Sequence, residues 1–251
     1  MGWPQIDWSR RLPASWGLGV LLGAVHLGTA VYQWRRGYES LWTGLALSRS
    51  TPFRVDVGGQ LDLLIDGGHY YRLVTSTLLH GDLLHLGFNV VAILAIGRIL
   101  EPWIGWLRYL GVFALGAVVA SGGSHLTGVL QSDGASGGAY ALLGLLLVVG
   151  LRLRRVLSAE DAWILGPVLW GFTILNVLLS FVLPFVDVAG HLFGLALGLL
   201  VGTRVRLAED SGATRLGRWI WAAWLGVYGL AVIGGFGFVV GWPVLAGQAF
   251  W

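Results

Sequence analysis

Seven apolar segments follow one another along this chain of 251 residues, and they constrain its fold more than any other feature. A helix that crosses a bilayer needs about 20 mostly apolar residues. Apolar residues make up 56% of the chain and charged residues 12%. A soluble fold could not bury so much apolar surface, so the sequence predicts an all-α, polytopic membrane helix bundle. The segments are Trp16–Trp34, Leu83–Leu100, Tyr109–Ser124, Ser136–Leu151, Ala162–Val182, Val188–Gly202 and Ile220–Gly241.

The composition also excludes several classes of site. The chain has no cysteine, which rules out disulfides, thiolate metal sites and cysteine nucleophiles. Its 16 basic residues are all arginine and leave a formal net charge of +3, but they form no stripe interleaved with aromatic residues. The sequence therefore predicts no nucleic-acid partner.

The distribution of arginine predicts the orientation of the chain, because cytoplasmic connections carry an excess of basic residues. With the N-terminus in the cytoplasm, 11 of the 16 arginines fall in inside connections or at the inner ends of spans. The other five lie in one long outside connection, residues 35–82: Arg35, Arg36, Arg49, Arg54 and Arg72. We therefore expect the N-terminus inside and the C-terminus outside.

The outside connection is too long to be a structureless loop. It contains amphipathic stretches such as Leu61-Asp62-Leu63-Leu64-Ile65. We interpret it as a folded element that lies in the outer membrane interface.

Four polar residues fall at one depth in the predicted bundle. His85 and Asn89 begin the second segment, Ser136 opens the fourth, and His191 lies one turn into the sixth. These three segments all run from outside to inside, which places the four residues in the outer leaflet. His85 and Asn89, four residues apart, share one helix face. Strongly polar groups inside spans are costly, so these residues are candidates for function.

Ser136 lies in the glycine-rich string Gly134-Ala135-Ser136-Gly137-Gly138. One interpretation is a seam of small residues that packs against another helix. Another is a nucleophile, since the string also matches the G-x-S-x-G elbow of α/β-hydrolases. That elbow requires a strand before the serine, however, and here a loop follows a membrane span. A nucleophile at this depth would need water admitted from outside.

His191 begins a helix in which glycine recurs every four residues, at positions 190, 194, 198 and 202. One helix face is therefore bare backbone and permits very close approach of a neighbouring helix. A lone histidine in a membrane is often a structural hydrogen-bonding residue. Beside this bare face it can also meet the start of the fourth segment, where Ser136 lies. Tyr140, one turn further on, could stack on the imidazole or serve as a core aromatic.

This set of residues favours nucleophilic acyl transfer. A neutral histidine would remove the serine proton, and the side chains of His85 and Asn89 would stabilise the oxyanion. Either Asp187 or Asp133 could orient the base, although a serine–histidine dyad without a carboxylate is the simpler arrangement.

Together these residues resemble the rhomboid family of intramembrane serine proteases, over about residues 72–202. His80, His85 and Asn89 reproduce the family's H-x4-H-x3-N spacing. The other matching elements are Tyr71-Arg72 (Trp-Arg in the family), Gly97 with Glu101, Gly134-Ala135-Ser136-Gly137, Tyr140 with the run Ala141-Leu142-Leu143-Gly144, and Gly190-His191 followed by Gly194 and Gly198.

The resemblance implies particular roles for these residues. Ser136 would be the nucleophile and His191 the general base, while Asn89, His85 and Gly134 would form the oxyanion and substrate-binding site. Supporting roles would fall to Tyr140, His80, Arg72 and Glu101. The implied partners are membrane lipid and the transmembrane segments of other proteins, cut near the outer face. No metal and no other cofactor is implied.

The resemblance also implies a layout for the chain. It predicts a short cytoplasmic N-terminus (1–15), a rhomboid-like six-helix core (16–206) that includes the outer connection, and one C-terminal transmembrane helix (216–244). The expected location is a bacterial or archaeal cytoplasmic membrane, with the site open to the outside.

Two alternatives remain open. A rhomboid-like protein could bind membrane-protein clients without cutting them, although such relatives lack the serine or the histidine. A small transporter would need a polar path through both leaflets, whereas the polar residues here cluster in the outer half.

Overall fold

The computed structural model describes residues 12–38, 40–46, 50–183, 186–205, 207 and 215–246. Within these ranges the chain forms helices and turns and has no strand. The helices are α1 (Pro13–Arg35), α2 (Leu41–Ala46), α3 (Thr51–Asp56), α4 (Asp62–Asp66), α5 (Arg72–Thr75), a 3₁₀ turn (Ser76–Leu78), α6 (Leu83–Ile104), α7 (Trp106–Leu126), α8 (Ser136–Leu153), α9 (Ala159–Trp163), a π-helical turn (Ile164–Val168), α10 (Leu169–Val182), α11 (Val188–Gly202) and α12 (Arg215–Ala246).

All seven predicted segments are helical, which confirms the all-α membrane bundle. Six helices of the described chain are long and apolar enough to cross a membrane: α1, α6, α7, α8, the run from α9 to α10, and α12. At 15 residues α11 is shorter, about 22 Å at 1.5 Å per residue. The sequence also favours helices for a physical reason, since a helix satisfies every backbone hydrogen bond within its own segment.

Several helix ends differ from the prediction by a few residues, and two of them lie at the junction of α6 and α7. The second segment does not stop at Leu100 but continues to Ile104, and the third begins at Trp106 rather than Tyr109. Gly105 separates them with a φ of 81°, which glycine adopts without steric cost. Residues 1–11 of the predicted N-terminal segment, as well as Arg49 and Arg206 of the orientation argument, lie outside the described residues.

Helix α8 is the centre of the bundle, and most of its side chains are buried against α6, α7 and α11. Helix α11 approaches it through glycine. A Cβ placed on Gly194 would overlap the backbone of Gly137, and one on Gly198 would overlap the carbonyl of Ala141. The two helices therefore pack backbone against backbone, a geometry that only small residues permit.

The long connection between α1 and α6 (the outer connection) contains the four short helices α2 to α5. Arg72 holds it together by donating from Nη1 to the carbonyls of Val55 (2.6 Å) and Gly59 (2.8 Å). The connection also reaches the start of α8, because Gly134 donates its backbone N–H to the carbonyl of Ser76 at 3.0 Å.

Helix α12 packs on α7 and on the segment around α5. The indole Nε1 of Trp224 donates to the carbonyl of Gly111 at 3.2 Å. The hydroxyl of Tyr228 lies 2.8 Å from that of Thr77. The last helix is thus attached to the same outer segment that contacts the loop before α8.

Candidate active site

Ser136 and His191 meet at the N-terminal ends of α8 and α11. The His191 Nε2 atom lies 3.0 Å from the Ser136 Oγ atom, within hydrogen-bond distance. Ser136 is the first residue of α8 and His191 the fourth of α11. The close contact of Gly194 with Gly137, one turn further along α11, brings the two side chains together.

Two side chains besides Ser136 contact the imidazole of His191, one on the face of the ring and one at Nδ1. The ring of Tyr140 stacks on it, with centroids 4.1 Å apart and planes 14° apart. The Ser180 Oγ atom, on α10, lies 3.1 Å from His191 Nδ1.

Sequence reasoning did not single out Ser180. Its signal was a third polar residue, after Thr173 and Asn176, near the end of a largely apolar segment. Such a serine often bonds only to its own helix, so its position in the sequence does not distinguish a contact with His191.

Among the described contacts, neither aspartate near the site bonds to the His191 imidazole through its carboxylate. Asp187 caps α11 by accepting from the Gly190 backbone N–H at 2.8 Å, and it also accepts from the hydroxyls of Ser132 (2.6 Å) and Ser124. Its two oxygens are therefore engaged away from the imidazole.

Asp133 is committed to the outer connection. Its carboxylate lies 2.6 Å from Arg54 Nη2 and accepts from the Gln60 backbone N–H at 2.9 Å. Burial raises the pKa of Asp133 from 3.8 to about 6, while the arginine opposes this rise. The described contacts leave the histidine oriented by a hydroxyl rather than by a carboxylate.

Three further candidates meet in the loop that precedes Ser136: Gly134 belongs to the loop, and His85 and His80 lie beside it. The ring of His85 lies against Gly134, where a Cβ would be 2.9 Å from His85 Nε2. Gly134 has a φ of 135°, which side chains other than hydrogen disfavour. His80 Nε2 accepts from the Ala135 backbone N–H at 3.4 Å, and its ring centroid is 5.0 Å from that of His85.

Asn89 is turned along its own helix. Its Nδ2 donates to the carbonyl of His85 at 2.9 Å, and the side chain is buried. An amide nitrogen carries a second N–H. The structure therefore brings His85 to the loop before Ser136, whereas the described contacts of Asn89 stay within α6.

A small polar cavity of about 20 Å³ opens beside Ser136 and His191. Such a volume can hold a water molecule when polar groups line it. The polar residues of its lining come from the outer connection, from α7, from the loop before α8 and from the N-cap of α11: Gln60, Ser76, Thr77, Ser121, Ser132, Asp133 and Asp187. In the part of the chain that the structure describes, no three histidine or carboxylate side chains gather as metal ligands do.

The family model of the Rhomboid domain matches residues 67–207, more than half of the chain. The chain belongs to the rhomboid family. Family membership and the six long apolar helices together make it an integral, multi-pass membrane protein.

Several relatives of known name are similar to this rhomboid protein. "Rhomboid protease GluP" of Bacillus subtilis is 29% identical over 162 residues, which are 64% of this chain and 31% of that protein. YdcA, a rhomboid protein of the same bacterium, is 31% identical over 142 residues, 56% of this chain and 69% of the relative. "Rhomboid-type serine protease 2" of Emericella nidulans is 28% identical over 168 residues, 64% of this chain and 32% of that protein. The matches thus span about a third of two relatives and about two thirds of the other.

The range matched by the rhomboid family takes in α5 to α11 and every candidate residue named above. Glu101 lies within it, at the opposite end of α6 from His85. Its carboxylate accepts from the backbone N–H groups of Ala14 and Ser15, both at 2.9 Å, and from the Ser15 hydroxyl at 2.6 Å. Glu101 therefore caps the N-terminus of α1, where unpaired N–H groups favour a negative charge.

Proposed function

We propose that this rhomboid protein is a serine endopeptidase that cleaves the transmembrane segments of other membrane proteins, with Ser136 as nucleophile and His191 as general base. The observation that carries the proposal is the 3.0 Å separation of His191 Nε2 and Ser136 Oγ. Similarity to relatives named as proteases supports it. A seam of small residues alone would not require a histidine at this distance.

The reaction follows from the two atoms. Ser136 Oγ attacks the carbonyl carbon of the scissile bond while its proton passes to His191 Nε2, and the carbonyl oxygen becomes an oxyanion. The oxyanion collapses, the C–N bond breaks, and the leaving amine takes the proton from Nε2. Water then attacks the acyl-serine ester by the same route, which releases a carboxyl terminus and restores the serine.

The oxyanion would form at the N-terminus of α8, where Ser136 begins the helix. The first N–H groups of a helix have no partner within it and carry a partial positive charge. His85, which lies against Gly134, would add a side-chain donor, and Asn89 would add another after turning its amide outward.

Hydrolysis of the ester requires water at membrane depth. The polar cavity beside the two side chains would hold that water. We assign the cavity to the second half of the reaction because both Ser136 and His191 line it.

The arginine distribution supports an orientation with the N-terminus in the cytoplasm. In this orientation the site opens to the opposite side, in a bacterial or archaeal cytoplasmic membrane. Substrates would be cut near that outer face.

The test uses the purified full-length protein in lipid vesicles with a single-span reporter protein as substrate. Wild type should cleave the reporter, whereas Ser136→Ala and His191→Ala should not. Ser158→Ala, which removes an exposed hydroxyl at the start of α9, serves as the control and should cleave normally. A fluorophosphonate should modify Ser136 in the wild type, identified by peptide mass. Equal cleavage by wild type and Ser136→Ala would refute the assignment, and binding of the reporter without cleavage by any variant would favour the client-binding alternative.

A further inference from the structure

The side chain of Ser180 occupies the position at His191 that a carboxylate takes in a catalytic triad. Its Oγ lies 3.1 Å from Nδ1, the nitrogen that faces away from Ser136. The residue is buried, with 5% of its surface exposed.

A second contact of Ser180 indicates the direction of this hydrogen bond. Ser180 Oγ lies 2.9 Å from the backbone carbonyl of Asn176, one turn earlier in α10. A carbonyl only accepts, so we infer that the single hydroxyl proton of Ser180 points to it. With the proton there, the oxygen is an acceptor and His191 Nδ1 is the donor.

A proton on Nδ1 decides what the other nitrogen can do. In a neutral imidazole one nitrogen carries the proton and the other carries a lone pair. With Nδ1 protonated, the lone pair of Nε2 points at Ser136 Oγ, which is the form that a general base needs. The opposite tautomer would present an N–H to Ser136 and could not accept its proton.

The other groups around His191 do not replace Ser180. Tyr140 stacks on the face of the ring, and Asp187 is engaged by Gly190, Ser124 and Ser132. His85 lies on the side of Gly134.

We propose that Ser180 is a positioning residue for the catalysis proposed above, holding His191 in the tautomer whose Nε2 accepts the proton of Ser136. The proposal rests on the proposed function for its effect on cleavage. The tautomer assigned to the His191 ring is the same with and without substrate, so it can be measured separately. Because a hydroxyl carries no charge, it orients the imidazole but does not add the charge stabilisation that an aspartate would give.

Helix α10 offers a matched control. Thr173 is the other buried residue of this helix, seven positions before Ser180, and its hydroxyl donates to the carbonyl of Leu169 at 2.7 Å. Removing the Thr173 hydroxyl therefore removes a buried hydrogen bond within the same helix without touching His191.

The experiment compares Ser180→Ala, Ser180→Thr and Thr173→Ala with wild type in the vesicle assay. In Ser180→Ala we expect kcat to fall by at least about tenfold with KM unchanged, because a correctly held base contributes roughly 10²- to 10⁴-fold. Ser180→Thr keeps the hydroxyl and should retain most of the activity, and Thr173→Ala should behave as wild type. Wild-type kcat in Ser180→Ala would overturn the proposal.

A second measurement does not depend on cleavage. Nitrogen-15 spectra of histidine-labelled protein, with the His191 signals assigned by their loss in His191→Ala, report which nitrogen carries the proton. Wild type, Ser180→Thr and Thr173→Ala should show the Nδ1–H form, and Ser180→Ala should show a shift toward Nε2–H. An unchanged tautomer in Ser180→Ala would refute the positioning role. If wild type fails to cleave, the proposed function fails, and these spectra still decide the role of Ser180.

Discussion

Gly198 of α11 lies so close to the carbonyl of Ala141 in α8 that no side chain fits between them. Along α11, this contact lies about two turns after His191. Because α11 carries the histidine and α8 the serine, the separation of the two helix backbones determines the separation of the two side chains.

Gly198→Ala should therefore lower both stability and activity. The added methyl would force the helices apart, and overpacking of this kind costs about 1–3 kcal/mol. We expect a lower thermal midpoint in detergent and slower cleavage of the vesicle substrate. Gly226→Ala is the matched control, since a Cβ there meets nothing within 4 Å and alanine favours a helix. Equal midpoints for Gly198→Ala and wild type would contradict the close packing.

His85→Ala and Asn89→Ala should each lower kcat, by roughly 10- to 1,000-fold if one hydrogen bond to the oxyanion is lost. Their effect on KM should be smaller, because these donors act mainly in the transition state. Steady-state kinetics on the same vesicle substrate measures both constants. Asn89→Gln keeps an amide but moves it by one methylene, so it should recover little of the loss. If both alanine variants turn over substrate at the wild-type rate, neither residue belongs to the mechanism.

Asp133 should make stability depend on pH. Folding raises its pKa from 3.8 to about 6, so the folded protein holds this proton more tightly than the unfolded chain does. The resulting stabilisation is complete below pH 3.8 and is lost as the pH rises through about 6, a change of about 3 kcal/mol. Asp133→Asn should therefore show a smaller decline in thermal midpoint between pH 4 and pH 7 than wild type. Glu160→Gln changes an exposed carboxylate and should leave the decline as it is.

Tyr228→Phe should loosen the attachment of α12 to the outer connection. The change removes the hydroxyl that lies 2.8 Å from the Thr77 hydroxyl, a bond worth about 1 kcal/mol. The thermal midpoint should fall slightly, and limited proteolysis in detergent should release α12 faster. Tyr70→Phe, which changes an exposed tyrosine, is the comparison and should have no effect.

Single cysteines test the proposed orientation, because the chain contains no cysteine of its own. Leu130→Cys lies in the exposed loop before α8 and should react with a membrane-impermeant thiol reagent applied to intact cells. Ser158→Cys, exposed at the start of α9, should be shielded until the cells are broken. Reaction of Ser158→Cys in intact cells would reverse the orientation and with it the side on which substrates are cut.

Much of the fold could be predicted from the chain alone. Apolar runs of about 20 residues form helices in a membrane because no other arrangement of a single segment satisfies its backbone. The constant rise per residue then places Ser136, His85 and His191 at one depth, and the glycine repeat marks the face of α11 that approaches a neighbour. The sequence was therefore enough to predict the membrane helices and to place the candidate residues at similar positions along them.

Only the tertiary structure decided which side chains touch. Asp187 lies closer to His191 in the sequence than Ser180 does, yet the contact at His191 Nδ1 is made by Ser180. Likewise Glu101 caps α1 by accepting from Ala14 and Ser15, which lie 87 and 86 residues earlier in the chain. Local sequence determines the depth and the face of a residue, whereas hydrogen bonds between helices depend on the distances and angles at which those helices pack. These follow from contacts spread over the whole bundle, such as the backbone approach of α11 to α8.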